Sequence, residues 1–248
     1  MSELRIHGVG GLPEIAEGAP LGAMIAERAE LGDGDVIVVS QKAVSKAEGR
    51  VRKLSSAIPG AEARKLAAVL GKEPNLVELI LEESRAVIRA ERSVLIVETR
   101  HGFVCANAGI DSSNVPDEDT VCLLPVDPDA SARRLRREIT SAVPFSIAVV
   151  ISDSFGRAWR VGQAEVAIGC AGLAPVDDWR GRTDAGGRQL EATLIAIADE
   201  AAGAADLARD KASGVPAVVI SGLGHHVSAE DGPGAAALRR PPEDDLFR

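Results

Sequence analysis

Two short stretches carry most of the side chains that could do chemistry: CANAGIDSSN around Asp111 and VVISDSFGR around Asp153. In each, an apolar, strand-like run stops abruptly at an aspartate flanked by hydroxyl or amide groups. In open α/β sheets ligands gather just beyond the carboxyl ends of strands. A carboxylate, a hydroxyl and an amide together form the oxygen-rich set that Mg²⁺ or Mn²⁺ prefers. Asp111 and Asp153 with Ser154 are therefore candidate ligands of a divalent ion. Each aspartate taken alone reads better as an Asx turn or a cap on the segment that follows, and only the pair brings the metal reading level with that one.

A basic run, Lys42, Lys46, Arg50, Arg52 and Lys53, follows the apolar VIVVS directly. It could face a phosphate, which needs cations and backbone donors, or it could be a solvated face. GVGGLPE near the start could bring backbone N–H groups to a ligand, a weak signal. Neither standard nucleotide cradle is present, since the chain has no G-x-x-x-x-G-K-[ST] and no intact G-x-G-x-x-G. Adjacent His225 and His226 point apart on a regular element and read as loop residues. Arg157, Trp159 and Arg160 could meet an anion or brace their own loop. No Ser-His-Asp or Cys-His arrangement stands out. This constellation suits phosphoryl transfer, in which cations neutralise charge and the protein mostly positions.

Elements must hold these residues, and the chain supplies them. VIVVS (36–40), IAVVIS (147–152) and VPAVVISGLG (215–224) are continuous apolar runs of the buried-strand kind. Residues 20–31, 61–70, 75–84, 131–143 and 189–206 have helical spacing. VIRAERSVLIVETRHGFVCANAGI reads as paired strands. VGQAEVAIGCAGLAPV reads as a helix or helix-strand, and the last 20 or so residues as loosely ordered. Alternating elements give an α/β or α+β chain. No linker divides it, so residues 1–248 are expected to form a single domain in which a second lobe is conceivable.

The 248 residues suffice for a sizeable core. Aromatic content of 2% and a net charge of −9 disfavour nucleic-acid partners, which need stacking platforms and cations. No signal peptide and no apolar run of membrane-spanning length is evident, so a cytoplasmic location without membrane attachment is expected. Cys105, Cys122 and Cys170 match no zinc spacing and read as buried free thiols.

GLPEI (11–15), GDVIVVSQKAVSKAEGR (34–50), LVELILEES (76–84), HGFVCANAGIDSSNV (101–115), LLPVDPDASA (123–132), VVISDSFGRAWRVGQAEVAIGCAGL (149–173) and ADEAAGAADL (198–207) together resemble the coenzyme F420-0:L-glutamate ligase family. They follow the family's order and approximate spacing over nearly the whole chain. The resemblance implies a two-lobed α/β (α+β) fold with mixed sheets and no P-loop, in an intertwined homodimer. It implies GTP-dependent ligation of L-glutamate to the lactyl carboxylate of F420-0, with γ-linked extension of the tail, through an acyl phosphate. Mapped onto this chain, Leu12, Pro13, Glu14, Ile15, Gln41, Lys46 and Asn114 become guanine-nucleotide contacts. Asp111, Asp153 and Ser154 become metal ligands, for two divalent ions (Mg²⁺ or Mn²⁺) with K⁺ as a further candidate. No catalytic acid or base is singled out.

The chain departs from the family's pattern in several places. Gln41 stands where relatives often have Ser, and Ser154 where they often have Thr. Arg209-Asp210-Lys211-Ala212 replaces a Gly-Glu-Ala-like segment of archaeal relatives, so its roles are not carried over. Actinobacterial relatives continue past a DLF sequence into a flavin-reductase-like domain. This chain stops at Asp245-Leu246-Phe247-Arg248, which implies a stand-alone ligase or an N-terminal domain, without FMN binding. Rival readings are a ligase acting on a different phosphate-bearing acid, and a GTP- or F420-binding protein without ligase activity.

Overall fold

The computed structural model describes residues 3–112, 117–209 and 214–246. The chain opens with β1 (Arg5–Gly8), α1 (Leu21–Arg28), β2 (Val36–Ser40) and α2 (Gln41–Ala47). Next come β3 (Val51–Lys53), α3 (Ala61–Leu70), α4 (Pro74–Glu82), β4 (Ser84–Glu91), β5 (Val94–Thr99), β6 (Val104–Ala106) and β7 (Thr120–Cys122). The rest holds α5 (Pro128–Thr140), β8 (Ala148–Arg157), β9 (Arg160–Ala171), β10 (Asp177–Asp178), β11 (Leu194–Ile195), α6 (Ile197–Ala208) and β12 (Ala217–Ser221).

The central sheet has five strands in the order β1-β12-β2-β8-β9. Its β2–β8 pair is parallel and its other pairs are antiparallel. The fold is thus mixed α/β with several sheets, as the alternating elements predict, and none of the sheets closes into a barrel.

VIVVS is apolar throughout because both faces of β2 are covered. Ile37 and Val39, with Val149, Ile151 and Val219, pack against Leu21 and Ile25 of α1 and Leu135 and Ile139 of α5. Val36 and Val38, with Val150 and Ile220, meet the alanine face of α6: Ala198, Ala201, Ala202 and Ala205. Each of these valines and isoleucines contributes about 1.5–3 kcal/mol by leaving water. A separate core joins α3 and α4 to the β4-β5-β6 sheet through Leu70, Val77, Ile80, Leu95 and Val97.

Three sequence expectations fail. VGQAEVAIGCAGLAPV is no helix: its first part lies in β9, which returns antiparallel along β8 after a tight hairpin. The helix expected over residues 189–206 begins only at Ile197, after the short strand β11. The C-terminal stretch is pinned rather than loose. Arg136 on α5, almost fully buried, donates to the carbonyls of Ile147, Ser228 and Ala229 and to Asp231 (2.9, 2.6, 3.1 and 2.8 Å). Asp129 accepts from the backbone nitrogens of Cys170 and Ala235 at 2.9 and 2.7 Å. Local composition in that stretch is turn-like, and the order comes from these distant partners.

Candidate functional site

The expected residues converge on one cleft of about 1070 Å³ at the carboxyl end of the parallel β2–β8 pair. β2 ends at Ser40, paired with Ser152, while β8 runs on to Arg157. Asp153 therefore lies within a strand, not in a loop beyond it, just past the end of its neighbour. At this level β9 carries one extra residue, Ile168, so Ile151 pairs with Gly169 but Ser152 with Ala167. Bulges of this kind re-aim side chains beside functional sites.

Asp111 is delivered differently. After β6 the chain turns through Asn107, Ala108 and Gly109, all with positive φ (52°, 55° and 70°). Asparagine tolerates this region, but alanine there costs about 1–2 kcal/mol. Ala108 is almost fully buried in the α3–α4 core, which holds the turn in place. The chain then reaches Asp111, which forms an isolated bridge with Cys122.

Helix α2 presents Lys42 and Lys46, four residues apart, on one face toward the cleft. Lys42 Nζ is 2.8 Å from Asp111 Oδ2, and Lys46 Nζ is 2.5 Å from Glu14 Oε1. Gln41 is buried, accepts from Ser45 Oγ at 2.9 Å, and leaves its own Nε2 without a hydrogen-bond partner. The rest of the basic run points elsewhere. Arg50 braces the fold on Glu83 and the Leu124 carbonyl, while Arg52 and Lys53 lie on β3.

Of the residues mapped by resemblance, Pro13, Glu14, Ile15, Gln41, Lys46, Asp111, Asp153 and Ser154 line this cleft. Leu12 does not line it and packs against the main core. Asn114 lies outside the described residues. Arg157 caps its own hairpin turn by donating to the Val161 and Gly162 carbonyls. His225 and His226 sit in a short helical turn away from the cleft.

The sequence reading missed Glu165 and Arg209, both of which line the cleft. Glu165 on β9 faces Ser154 across the strand pair and accepts its hydroxyl at 2.5 Å. Arg209, at the end of α6, lies 3.6 Å from Glu165 and donates to Ser152 Oγ at 3.3 Å. Once β9 is recognised as the partner of β8, the register alone puts Glu165 opposite Ser154.

Three carboxylates, Asp111, Asp153 and Glu165, thus border one cleft. Burial above all, then the charges of Glu165 and Asp111, push the Asp153 carboxyl up to about 7, against a backbone hydrogen bond from Ser154 and the charge of Lys42. Glu165 Oε2, Asn107 Oδ1 and Arg209 Nε are buried without hydrogen-bond partners. Among the described residues, no three His, Cys, Asp or Glu side chains stand close enough to enclose a metal by themselves. The donor set nonetheless fits Mg²⁺ or Mn²⁺, which are bound through one or two carboxylates and complete their shells with water and phosphate oxygens.

A carboxylate-lined cleft flanked by lysines, on a mixed α/β fold, has the chemistry of a site for cations and anions together. Comparison with known proteins is more specific. The F420-0:gamma-glutamyl ligase family model matches residues 10–222. A coenzyme F420:L-glutamate ligase from Methanothermobacter thermautotrophicus is 45% identical over 251 residues, covering 99% of both chains. Proteins of the same name from Methanopyrus kandleri and Archaeoglobus fulgidus are 42% and 41% identical, covering 99% of this chain and 98% and 96% of theirs. The chain belongs to the F420-0:gamma-glutamyl ligase family and is a ligase.

Proposed function

We propose that this ligase joins L-glutamate to the lactyl carboxylate of coenzyme F420-0 with GTP as co-substrate, and extends the tail by γ-linked glutamate. The supporting observation is convergence: eight residues that resemble the family's nucleotide and metal positions, scattered from 13 to 154, border a single cleft of about 1070 Å³. That is the upper end of the usual range for small-molecule sites, and suits two bulky anions together.

In this reading the residues around Glu14 seat the guanine end of GTP, and Gln41 and Lys46 meet its polar groups and phosphates. Asn114 belongs to the same set. Asp111, Asp153 and Ser154 hold divalent ions. Bound Mg²⁺ or Mn²⁺ would neutralise phosphate charge and help align the γ-phosphate. The F420-0 carboxylate attacks that phosphorus, a P–O bond forms, and GDP leaves with the electrons of the broken bond. The amine of glutamate then attacks the acyl carbonyl, loses a proton, and expels inorganic phosphate. Lys42 and Lys46 stabilise the charge that gathers during these displacements. A homodimer in the cytoplasm completes the proposal.

The test is direct. Purified protein incubated with F420-0, L-glutamate, GTP and Mn²⁺ should yield products heavier by one or more glutamyl units, with GDP and phosphate released in equal amounts. No mass gain with GTP intact refutes the reading. Tight GTP binding without turnover would point instead to a binding protein.

A further inference from the structure

Glu165 takes no direct part in the chemistry above, yet it is buried, lines the cleft and is held from two sides. Its Oε1 receives the Ser154 hydroxyl, and its Oε2 faces the Arg209 guanidinium at 3.6 Å. A serine that binds a cation does so through an oxygen lone pair, so its O–H must be directed away from the ion toward an acceptor. Outer acceptors of this kind fix the orientation of metal ligands and raise their basicity.

We propose that Glu165 is a positioning residue for the divalent-ion site: by accepting the hydrogen bond of the Ser154 O–H it leaves the Ser154 lone pairs for an ion in the cleft, and Arg209 keeps its carboxylate in place. This rests on the metal role given to Asp153 and Ser154 above. The strand register enforces the arrangement. Ser154 and Glu165 are direct cross-strand partners only because Ile168 is bulged out, and a one-residue slip would turn Glu165 to the opposite face. The bulge is itself locked. A Cβ on the adjacent Gly169 would stand 2.3 Å from the Pro128 carbonyl oxygen, so the start of α5 fits against β9 only at a glycine.

The experiment measures Mn²⁺ affinity of the substrate-free protein by electron paramagnetic resonance of free Mn²⁺, in wild type, S154A, E165A and S154A/E165A. Circular dichroism and thermal midpoints check each fold. E165A is expected to weaken Mn²⁺ binding by about 10–100-fold, the usual effect of losing an outer-shell partner. Because Glu165 acts through Ser154, the double variant should bind within about twofold of S154A alone. If E165A fails to fold, E165M/R209M removes both members of the buried pair together and should show the same loss. Wild-type affinity in folded E165A or E165M/R209M overturns the proposal. So does a double variant whose loss is the product of the two single losses, since Glu165 would then act only as a remote charge. Wild-type affinity in both S154A and D153N would instead refute the metal reading on which the proposal rests.

Discussion

The carboxyl group of Asp153 gives the sharpest quantitative test, in the metal-free protein. Its pKa rises from 3.8 to about 7, which means that ionising it inside the folded chain costs roughly 4 kcal/mol more than in the unfolded one. A raised carboxyl contributes stability that is intact below its unfolded pKa, is lost progressively as pH climbs from there, and is gone once pH has passed the folded value. In the presence of a chelator, wild type and D153N should therefore be nearly equal in stability only below about pH 4, where Asp153 is protonated in both the folded and the unfolded chain and is close in shape to asparagine. The variant should pull ahead steadily between about pH 4 and pH 7 and level off above pH 7 at a lead of about 4 kcal/mol, which for a chain of this length is a gap of the order of 10 °C in thermal midpoint. Saturating Mn²⁺ should narrow the gap by stabilising wild type, by about 2.7 kcal/mol at a hundredfold excess over its Kd, while D153N gains little. The assay is thermal or urea unfolding of both proteins from about pH 4 to 8, with chelator and with Mn²⁺. A gap that stays constant across this range, or a variant less stable than wild type throughout, would refute the electrostatic reasoning.

Other consequences follow from the same geometry. Lys46→Ala removes a charge-assisted contact worth about 1.5–3 kcal/mol, so the KM for GTP should rise roughly 10–100-fold while circular dichroism is unchanged; an unaltered KM would remove Lys46 from the site. Arg136→Met leaves Asp231 and three carbonyls without their buried donor and should cost about 3–5 kcal/mol in urea unfolding. Cys105 lines the cleft, but burial above all pushes its thiol up to about 12, so a disulfide reagent at about pH 8 should label it slowly until urea exposes it. Rapid labelling of the native protein would show that the cleft wall opens.

How far the sequence could be read depended on whether order came from neighbours in the chain or from distant ones. VIVVS announced itself as a central strand because two cores demand apolar residues on both its faces. Asp111 and Asp153 stood out because each interrupts an apolar run, a local contrast. Glu165 gave no such signal. VGQAEVAIGCAGL is rich in alanine and reads as helical, and only pairing with β8 makes it a strand. The C-terminal stretch misled for the same reason, since its glycines and prolines look loose until Arg136 and Asp129, about a hundred residues earlier, collect its backbone groups. Arg209 follows a plain alanine-rich helix, and nothing nearby hints that its guanidinium reaches back to Ser152 and Glu165.

The charges in the cleft explain why its carboxylates and cations are interleaved. A chain of net charge −9 repels GTP and a phosphate-bearing acid alike unless the site reverses that sign locally. Lys42 is already paired with Asp111, and Arg209 with Glu165. Asp153 has no lysine or arginine in ion-pair contact among the described residues, and burial above all, then the neighbouring charges of Glu165 and Asp111, raises its pKa. One divalent ion bound there would turn a local charge of −1 into +1, and would loosen the hold of Asp111 on Lys42 by competing for the same carboxylate. On the proposed function, anion affinity would be conditional on the metal: without it the lysines are engaged, and with it they would turn to phosphate. Metal and GTP should accordingly bind with positive coupling, each tightening the other by the same factor. K42A should shrink that factor without abolishing metal binding. Equal Mn²⁺ affinity with and without GTP, measured by titration, would show that the carboxylates and the lysines serve separate ends.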